Sequence, residues 1–206
     1  MRIDSYLRKQ DDKELDSKTI AVIVVFAALT VALNLSPIKI PAPYAPFLIY
    51  QIWEIPIVAA FLLFGLQVGI PISIINTVML LAIFPGELPT GPFYNLAAVL
   101  SMLFGIYIAH KSLTTRLGKG QEIILPAIST TLGIIFRVGF MTIVNWAFLP
   151  FAPPVGFGLP VEVVVATLPV IGVFNATLAL YTIPVGYFLA KIVSSSIRTD
   201  IRTEKL

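Results

Sequence analysis

The sequence contains no cysteine and a single histidine. Disulfides, thiolate metal sites and cysteine nucleophiles are excluded, and His110 has no second His or Cys with which to hold a metal. No G-x-x-x-x-G-K-[ST] phosphate loop is present, because Gly118-Lys119-Gly120 lacks both the spacing and the hydroxyl, and no H-E-x-x-H zinc motif occurs. The chain reads as a binder or carrier, not as an enzyme, and no cofactor is expected. Charge is scarce as well. Charged residues make up 12% of the chain and hydrophobic ones 57%, with a mean hydropathy of +0.92. An ordinary soluble domain carries about 25% charge, so this chain cannot cover a water-facing surface, and a membrane protein is expected. Six apolar runs of roughly 20 residues would take up ~120 to 130 residues and leave only short loops. No room remains in the 206 residues for a second, soluble domain.

The net charge of +3 does not point to nucleic acid, because of where the basic residues lie. Twelve of the 14 fall into three clusters: Arg2, Arg8, Lys9, Lys13 and Lys18; Lys111, Arg116 and Lys119; and Lys191, Arg198, Arg202 and Lys205. Each cluster abuts an apolar run, as cytoplasmic segments do under the positive-inside rule. Both termini and the loop between the fourth and fifth spans are thus expected in the cytoplasm, which an even number of helices requires. The expected fold class is an all-α membrane protein of six transmembrane helices in the cell membrane, with Pro/Gly-rich extracellular loops.

Residues 1–18 read as a cytoplasmic lead, 19–193 as the six-helix membrane domain and 194–206 as a cytoplasmic tail. No A-x-A-like cleavage site follows the first apolar run, which is read as a retained helix. The spans are expected at 19–36, 51–66, 67–84, 93–109 and 123–148. The sixth should open between Val163 and Pro169 and close at Lys191. Pro37, Pro41, Pro43 and Pro46 make the first outer connection a loop, and further breakers make the second, 85–92, and the third, 149–160. The second and third spans turn near Phe64-Gly65.

Polar side chains inside apolar helices are costly and mark function or pairing. Four of five asparagines, Asn34, Asn95, Asn145 and Asn175, fall near outer helix ends. At ~1.5 Å per residue, Asn145 lies roughly 5 Å inside Phe148 and Asn175 about 9 Å inside Pro169. The two are expected to share a depth and to face one pocket, and an amide's paired donor and acceptor suit a neutral heterocycle. Capping helix ends or joining helices is the competing role for these residues. Arg137 is the only cation well inside a span and shares a face with Met141 and Asn145 at i, i+4, i+8. It either binds an anionic part of a ligand or pairs with Glu54, the acid best placed to reach it.

Aromatic residues crowd the outer loops and helix ends: Tyr44, Phe47, Tyr50 and Trp53; Phe93 and Tyr94; Trp146, Phe148, Phe151 and Phe157. An interfacial belt explains most of them. The inner ends, with Tyr107 and Tyr187 as the main examples, are poorer, which favours a stacking pocket on the outer side. On the first helix, Ala28 and Ala32 stand at i and i+4, a spacing that admits a partner helix.

Assembled in order, these residues resemble the substrate-binding (S) components of energy-coupling factor (ECF) transporters, and most closely the riboflavin-specific group. The segment Leu48-Ile-Tyr50-Gln51-Ile-Trp-Glu54-Ile-Pro56 followed by Phe64-Gly65 is similar to that group's Tyr-Asp pair, acid before Ile-Pro and Phe-Gly turn. Gly91-Pro-Phe-Tyr-Asn95-Leu-Ala resembles its Gly-Pro motif ending in Asn-Phe-x-Ala. Val144-Asn145-Trp146 and Val173-Phe174-Asn175 resemble its Asn-aromatic and Pro-Phe-Asn motifs. The resemblance implies riboflavin or a related heterocyclic vitamin as ligand, with Asn145 and Asn175 on the isoalloxazine ring. It also implies a site completed by Asn95, Tyr50, Trp146, Phe174, Glu54 and Arg137, with residues 37–50 as an outer lid. Ala28 and Ala32 would dock on a shared transmembrane subunit driven by two ATPases. The chain departs from the pattern at Leu178, where the group has lysine, and at Gln51, where it has aspartate; both bear on which ligand is bound. A different micronutrient on the same fold and an autonomous small-molecule carrier are the alternatives.

Overall fold

The computed structural model describes residues 17–83, 88–113 and 124–203, with side chains up to residue 196. The polar lead up to residue 16, residues 84–87, the segment 114–123 with Arg116 and Lys119, and residues 204–206 lie outside the described residues. The order of elements is α1 (Ser17–Leu35), β1 (Ile40–Ala42), β2 (Ala45–Tyr50), α2 (Glu54–Phe64), α3 (Leu66–Ile83), α4 (Gly91–Leu113), α5 (Ile124–Phe148) and α6 (Val161–Thr203).

Five of these helices, α1, α3, α4, α5 and α6, are long and apolar enough to cross a membrane. Their surfaces are inverted relative to a soluble bundle. Val24, Ile143 and Phe188 are 59%, 63% and 66% exposed, whereas Thr30, Ser73, Asn76, Ser129, Arg137 and Asn175 are buried. Such an arrangement is stable where hydrocarbon surrounds the bundle and backbone and side-chain polarity is satisfied inside it. In α1, Ile23, Ala27, Thr30 and Asn34 form the buried stripe, which packs against α3 and α2. Asn34 Nδ2 donates to Asn76 Oδ1 of α3 at 3.2 Å within that interface. Toward the other end, the His110 ring of α4 stacks on the Tyr187 ring of α6. The Tyr187 hydroxyl lies 2.5 Å from His110 Nε2 and donates to Ser129 Oγ of α5 at 2.8 Å, so three helices are tied there.

The sixth helix, α2, has only 11 residues, or ~16 Å of rise, half the hydrocarbon thickness. It is shorter than the expected 51–66 because Gln51, Ile52 and Trp53 precede it as non-helical chain. Nearly every residue from Glu54 to Leu62 is buried, since α2 contacts α1, α3, α4 and α6 and forms the axis of the bundle. Gly65 ends it as the sequence suggests: its φ of 83° is a left-handed value that disfavours side chains, and its N–H caps Phe61 O at 2.7 Å.

Two expectations are corrected. The Pro-rich stretch is not a plain loop, for β1 and β2 pair antiparallel with Ile40 opposite Tyr50 and Pro41 opposite Ile49. A two-stranded ribbon has only edge strands, and a proline whose missing N–H would face away from the partner is tolerated there. Helix α6 begins at Val161, earlier than the expected range, and runs past Lys191 to Thr203 with Pro169 and Pro184 inside it. Val163 and Val164 donate to Pro160 O, and Glu162 suits the positive end of the helix. Neighbouring helices in a membrane bundle compensate the hydrogen bonds that interior prolines remove. Residues 149–160 form a folded connection: Phe157 and Leu159 donate to Leu149 O, and Gly158 donates to Phe151 O. Thr90 and Tyr94, at the start of α4, hold it by hydrogen bonds to Val155 O at 3.2 and 2.8 Å.

Helices α4 and α5 meet at Gly105, where α4 has no room for a side chain. A Cβ on Gly105 would lie 2.5 Å from Leu132 O and 2.9 Å from Gly133 Cα. Gly105→Ala is therefore expected to push the two helices apart and cost ~1 to 3 kcal/mol, read as a lower unfolding temperature in detergent. Gly139→Ala, with nothing within 4 Å of the added carbon, should produce no such loss.

Candidate ligand site beneath the hairpin

Arg137 sits near the middle of α5 and is 2% exposed, so its charge must be neutralised within the bundle. It is: Nη1 donates to Glu54 Oε2 at 2.5 Å and Nη2 donates to Glu54 Oε1 at 2.9 Å, a bidentate pair. Glu54 stands in the first turn of α2, where the helix end favours a carboxylate, and is 3% exposed. Arg137 Nε donates to Asn175 Oδ1 at 3.0 Å, and Asn175 Nδ2 donates to Ile171 O at 3.0 Å. Met102 Sδ of α4 lies 3.6 Å from Nη1. Four helices thus converge on one guanidinium. Of the two roles open to Arg137, the structure places it in the ion pair with Glu54.

The hairpin lies beside this network. The Tyr50 ring packs on Phe174 with centroids 5.1 Å apart and meets Tyr181 edge-on at 6.4 Å. The Tyr181 hydroxyl donates to Gln51 O at 2.5 Å, and the Tyr44 and Tyr50 hydroxyls are 2.5 Å apart. Desolvation, then the bond to Tyr50, raises the Tyr44 hydroxyl above the usual phenol range. Among the described residues, Gln51 Oε1 is buried without a hydrogen-bond partner. Tyr181 and Gln51 were not among the expected site residues. Tyr181 follows Phe174 by seven residues, two helical turns, and so shares its face; that spacing was the available signal.

The asparagines do not share one hollow. Asn34 is bonded to Asn76, Asn95 is exposed at the start of α4, and Asn145 Nδ2 donates to Met141 O of its own helix at 2.6 Å. The shared depth of Asn145 and Asn175 also fails. Because α6 opens at Val161, Asn175 lies ~21 Å along it, whereas Asn145 is ~5 Å from the end of α5. Asn175 meets Arg137 instead. Trp146 is 55% exposed and stands outside the network. Tyr50, Glu54, Arg137, Phe174 and Asn175 are brought together. Leu178 is buried, and Ala28 and Ala32 are exposed on the outer side of α1.

Two hollows of about 570 and 320 Å³ run between α4 and α5, lined by Phe93, Ala97, Phe104, Phe136, Phe140 and their apolar neighbours. None of the network residues lines them. Their lining is mostly apolar, whereas Glu54, Arg137 and Asn175 beneath the hairpin are each buried. Among the described residues no group of His, Cys, Asp or Glu is arranged to hold a metal ion.

With this geometry the chain is similar to a solved structure described as the S component of a bacterial ECF transporter. The likeness is one of fold. The TM-score is 0.67 at 23% sequence identity, covering 87% of this chain and 97% of the other. No protein-family model and no curated protein matches the chain.

The ion pair makes a sharp prediction. Truncating one partner leaves an uncompensated buried charge, which costs ~3 to 5 kcal/mol. Arg137→Met or Glu54→Leu alone should therefore lower the unfolding temperature strongly, and the double variant should recover most of the loss. Additive losses in the double variant would show that the two side chains act independently.

Proposed function

We propose that this chain is the membrane-embedded substrate-binding subunit of an ECF-type importer that captures riboflavin or a related flat, uncharged heterocyclic vitamin. The observation that carries the reading is the tyrosine-bearing hairpin seated on Phe174 and Tyr181, next to a buried and fully paired Glu54–Arg137–Asn175 network. The fold likeness and the ordered motifs from Tyr50 to Asn175 support it. In this reading all six helices traverse the membrane, the short α2 included. The basic clusters and both termini face the cytoplasm, and the hairpin faces outward as a lid. Phe174 supplies a stacking surface, and Asn145 presents its Oδ1, which accepts no hydrogen bond among the described residues. Asn175 and the ion pair hold the floor of the site. Asn95 and Trp146, at the outer ends of α4 and α5, join it only if the lid rearranges around the ligand. With Arg137 neutralised by Glu54, a neutral ring is better suited than an anionic one. The exposed Ala28 and Ala32 would meet the transmembrane subunit of a module driven by two ATPases.

Leu178 and Gln51 favour a second ligand assignment on the same fold, a micronutrient other than riboflavin. An autonomous ion-coupled carrier is less well supported, because Glu54, the carboxylate it would use, is held at both oxygens by Arg137.

Protein purified in detergent should be yellow with a flavin spectrum, or should bind added riboflavin at micromolar concentration or below. A colourless protein without affinity would remove riboflavin and leave the fold. Asn145→Ala and Asn175→Ala are each expected to weaken binding by ~1 to 3 kcal/mol, the penalty for an unpaired buried polar group. Ala28→Trp with Ala32→Trp should abolish vitamin uptake in cells that also carry the transmembrane and ATPase subunits, while binding in detergent persists. Uptake into liposomes by the isolated chain would overturn the importer reading.

A further inference from the structure

The closed hairpin puts one of the protein's own rings where a flat guest would lie. Aromatic rings pair with centroids about 4.5 to 7 Å apart, and Tyr50 stands 5.1 Å from Phe174 with their planes 33° apart. Tyr181 meets Tyr50 at 71° and bounds the same place from the side. A heterocycle cannot slip between Tyr50 and Phe174 as they stand, because two rings flanking a third must be about 7 Å apart or more, twice the van der Waals spacing. The neighbouring residue adds a second sign. Gln51 Oε1 is buried without a hydrogen-bond partner among the described residues, so the closed hairpin leaves an acceptor that a donor on a ligand could satisfy.

We propose that Tyr50 is a placeholder: in the ligand-free protein its ring occupies the stacking position on Phe174 that the ligand's ring takes, and binding expels it as the hairpin lifts. This rests on the ligand site proposed above and assigns Tyr50 a role opposite in sign to that of a ligand contact. The Tyr181 hydroxyl fastens the base of the hairpin to α6 through Gln51 O, and the Tyr44–Tyr50 contact lies within the hairpin itself, so it can open without breaking the core. A ligand that binds only the open form has an apparent dissociation constant raised by the closed fraction, and loosening the placeholder removes that handicap.

The absence of cysteine allows a readout that needs no ligand. In Phe174→Cys the single thiol is expected to react slowly with a maleimide, and adding Tyr50→Ala should speed labelling at least tenfold. Tyr181→Phe in place of Tyr50→Ala, which removes the bond to Gln51 O and keeps the Tyr50 ring, should give a smaller acceleration and guards against misfolding of the alanine variant. In the Phe174 background, Tyr50→Ala should raise the association rate for riboflavin severalfold and tighten its apparent affinity, whereas Phe174→Ala should weaken binding at least tenfold. Unchanged labelling, or riboflavin affinity weakened by Tyr50→Ala as much as by Phe174→Ala, would overturn the proposal. Accelerated labelling in a protein that binds no riboflavin would support the placeholder and discard riboflavin as the ligand.

Discussion

A guanidinium and a carboxylate facing each other inside an apolar bundle set the positions of most other parts of this molecule. Neither charge is tolerable alone in a low-dielectric interior, so α5 and α2 must be registered to bring Arg137 onto both oxygens of Glu54. Glu54 opens α2, which fixes the height of that short helix. Tyr50 and Gln51 lie only four and three residues earlier in the chain, so the base of the hairpin is fixed with it. On the other side, Asn175 accepts the remaining Arg137 Nε–H, and its neighbour Phe174 is thereby turned toward the hairpin. One ion pair thus registers the hairpin, the Phe174 ring and the central helix against one another.

The rest of the bundle relies on small residues and amides rather than on hydrophobic burial, as expected where the surroundings are as apolar as the core. Gly105 against Leu132 and Gly133 lets α4 and α5 touch backbones, and Asn34 with Asn76 joins α1 to α3. The same physics leaves the outer side of α1, with Ala28 and Ala32 among Val24, Val25 and Leu29, without a polar group to satisfy. That face is smooth enough for another helix and needs none to be stable.

What was legible in the sequence follows from how local its cause is. A lone arginine in an apolar run must find an acid, and Glu54 was the one within reach; that inference needed no coordinates. Long apolar runs likewise marked six helices, of which five are long enough to cross a membrane. Proline misled in both directions. In residues 37–46 it suggested irregular chain where an edge-only ribbon can form, and at Pro169 it suggested a helix start where neighbouring helices allow the helix to continue. The second error displaced Asn175 along its helix and created an apparent pairing in depth with Asn145. Tyr181 was overlooked because its role depends on the hairpin folding back onto α6, a contact between residues 130 positions apart.

The closed state of the hairpin is a shallow one. Its fastenings to the bundle include two ring pairs, Tyr50 on Phe174 and Tyr50 against Tyr181, each worth ~0.5 to 1.5 kcal/mol beyond burial, and the Tyr181 bond to Gln51 O, worth about 1 kcal/mol net. Against them stands the buried Gln51 oxygen without a donor, a deficit of ~1 to 3 kcal/mol. The difference between closed and open is then a few kcal/mol or less, within what a ligand's differential affinity can shift. The core beneath does not share this balance, since α2 is buried on every side and the ion pair has no solvent to turn to. The hairpin is therefore the weakly held part of the molecule, resting on a core whose charges are paired and whose central helix is buried.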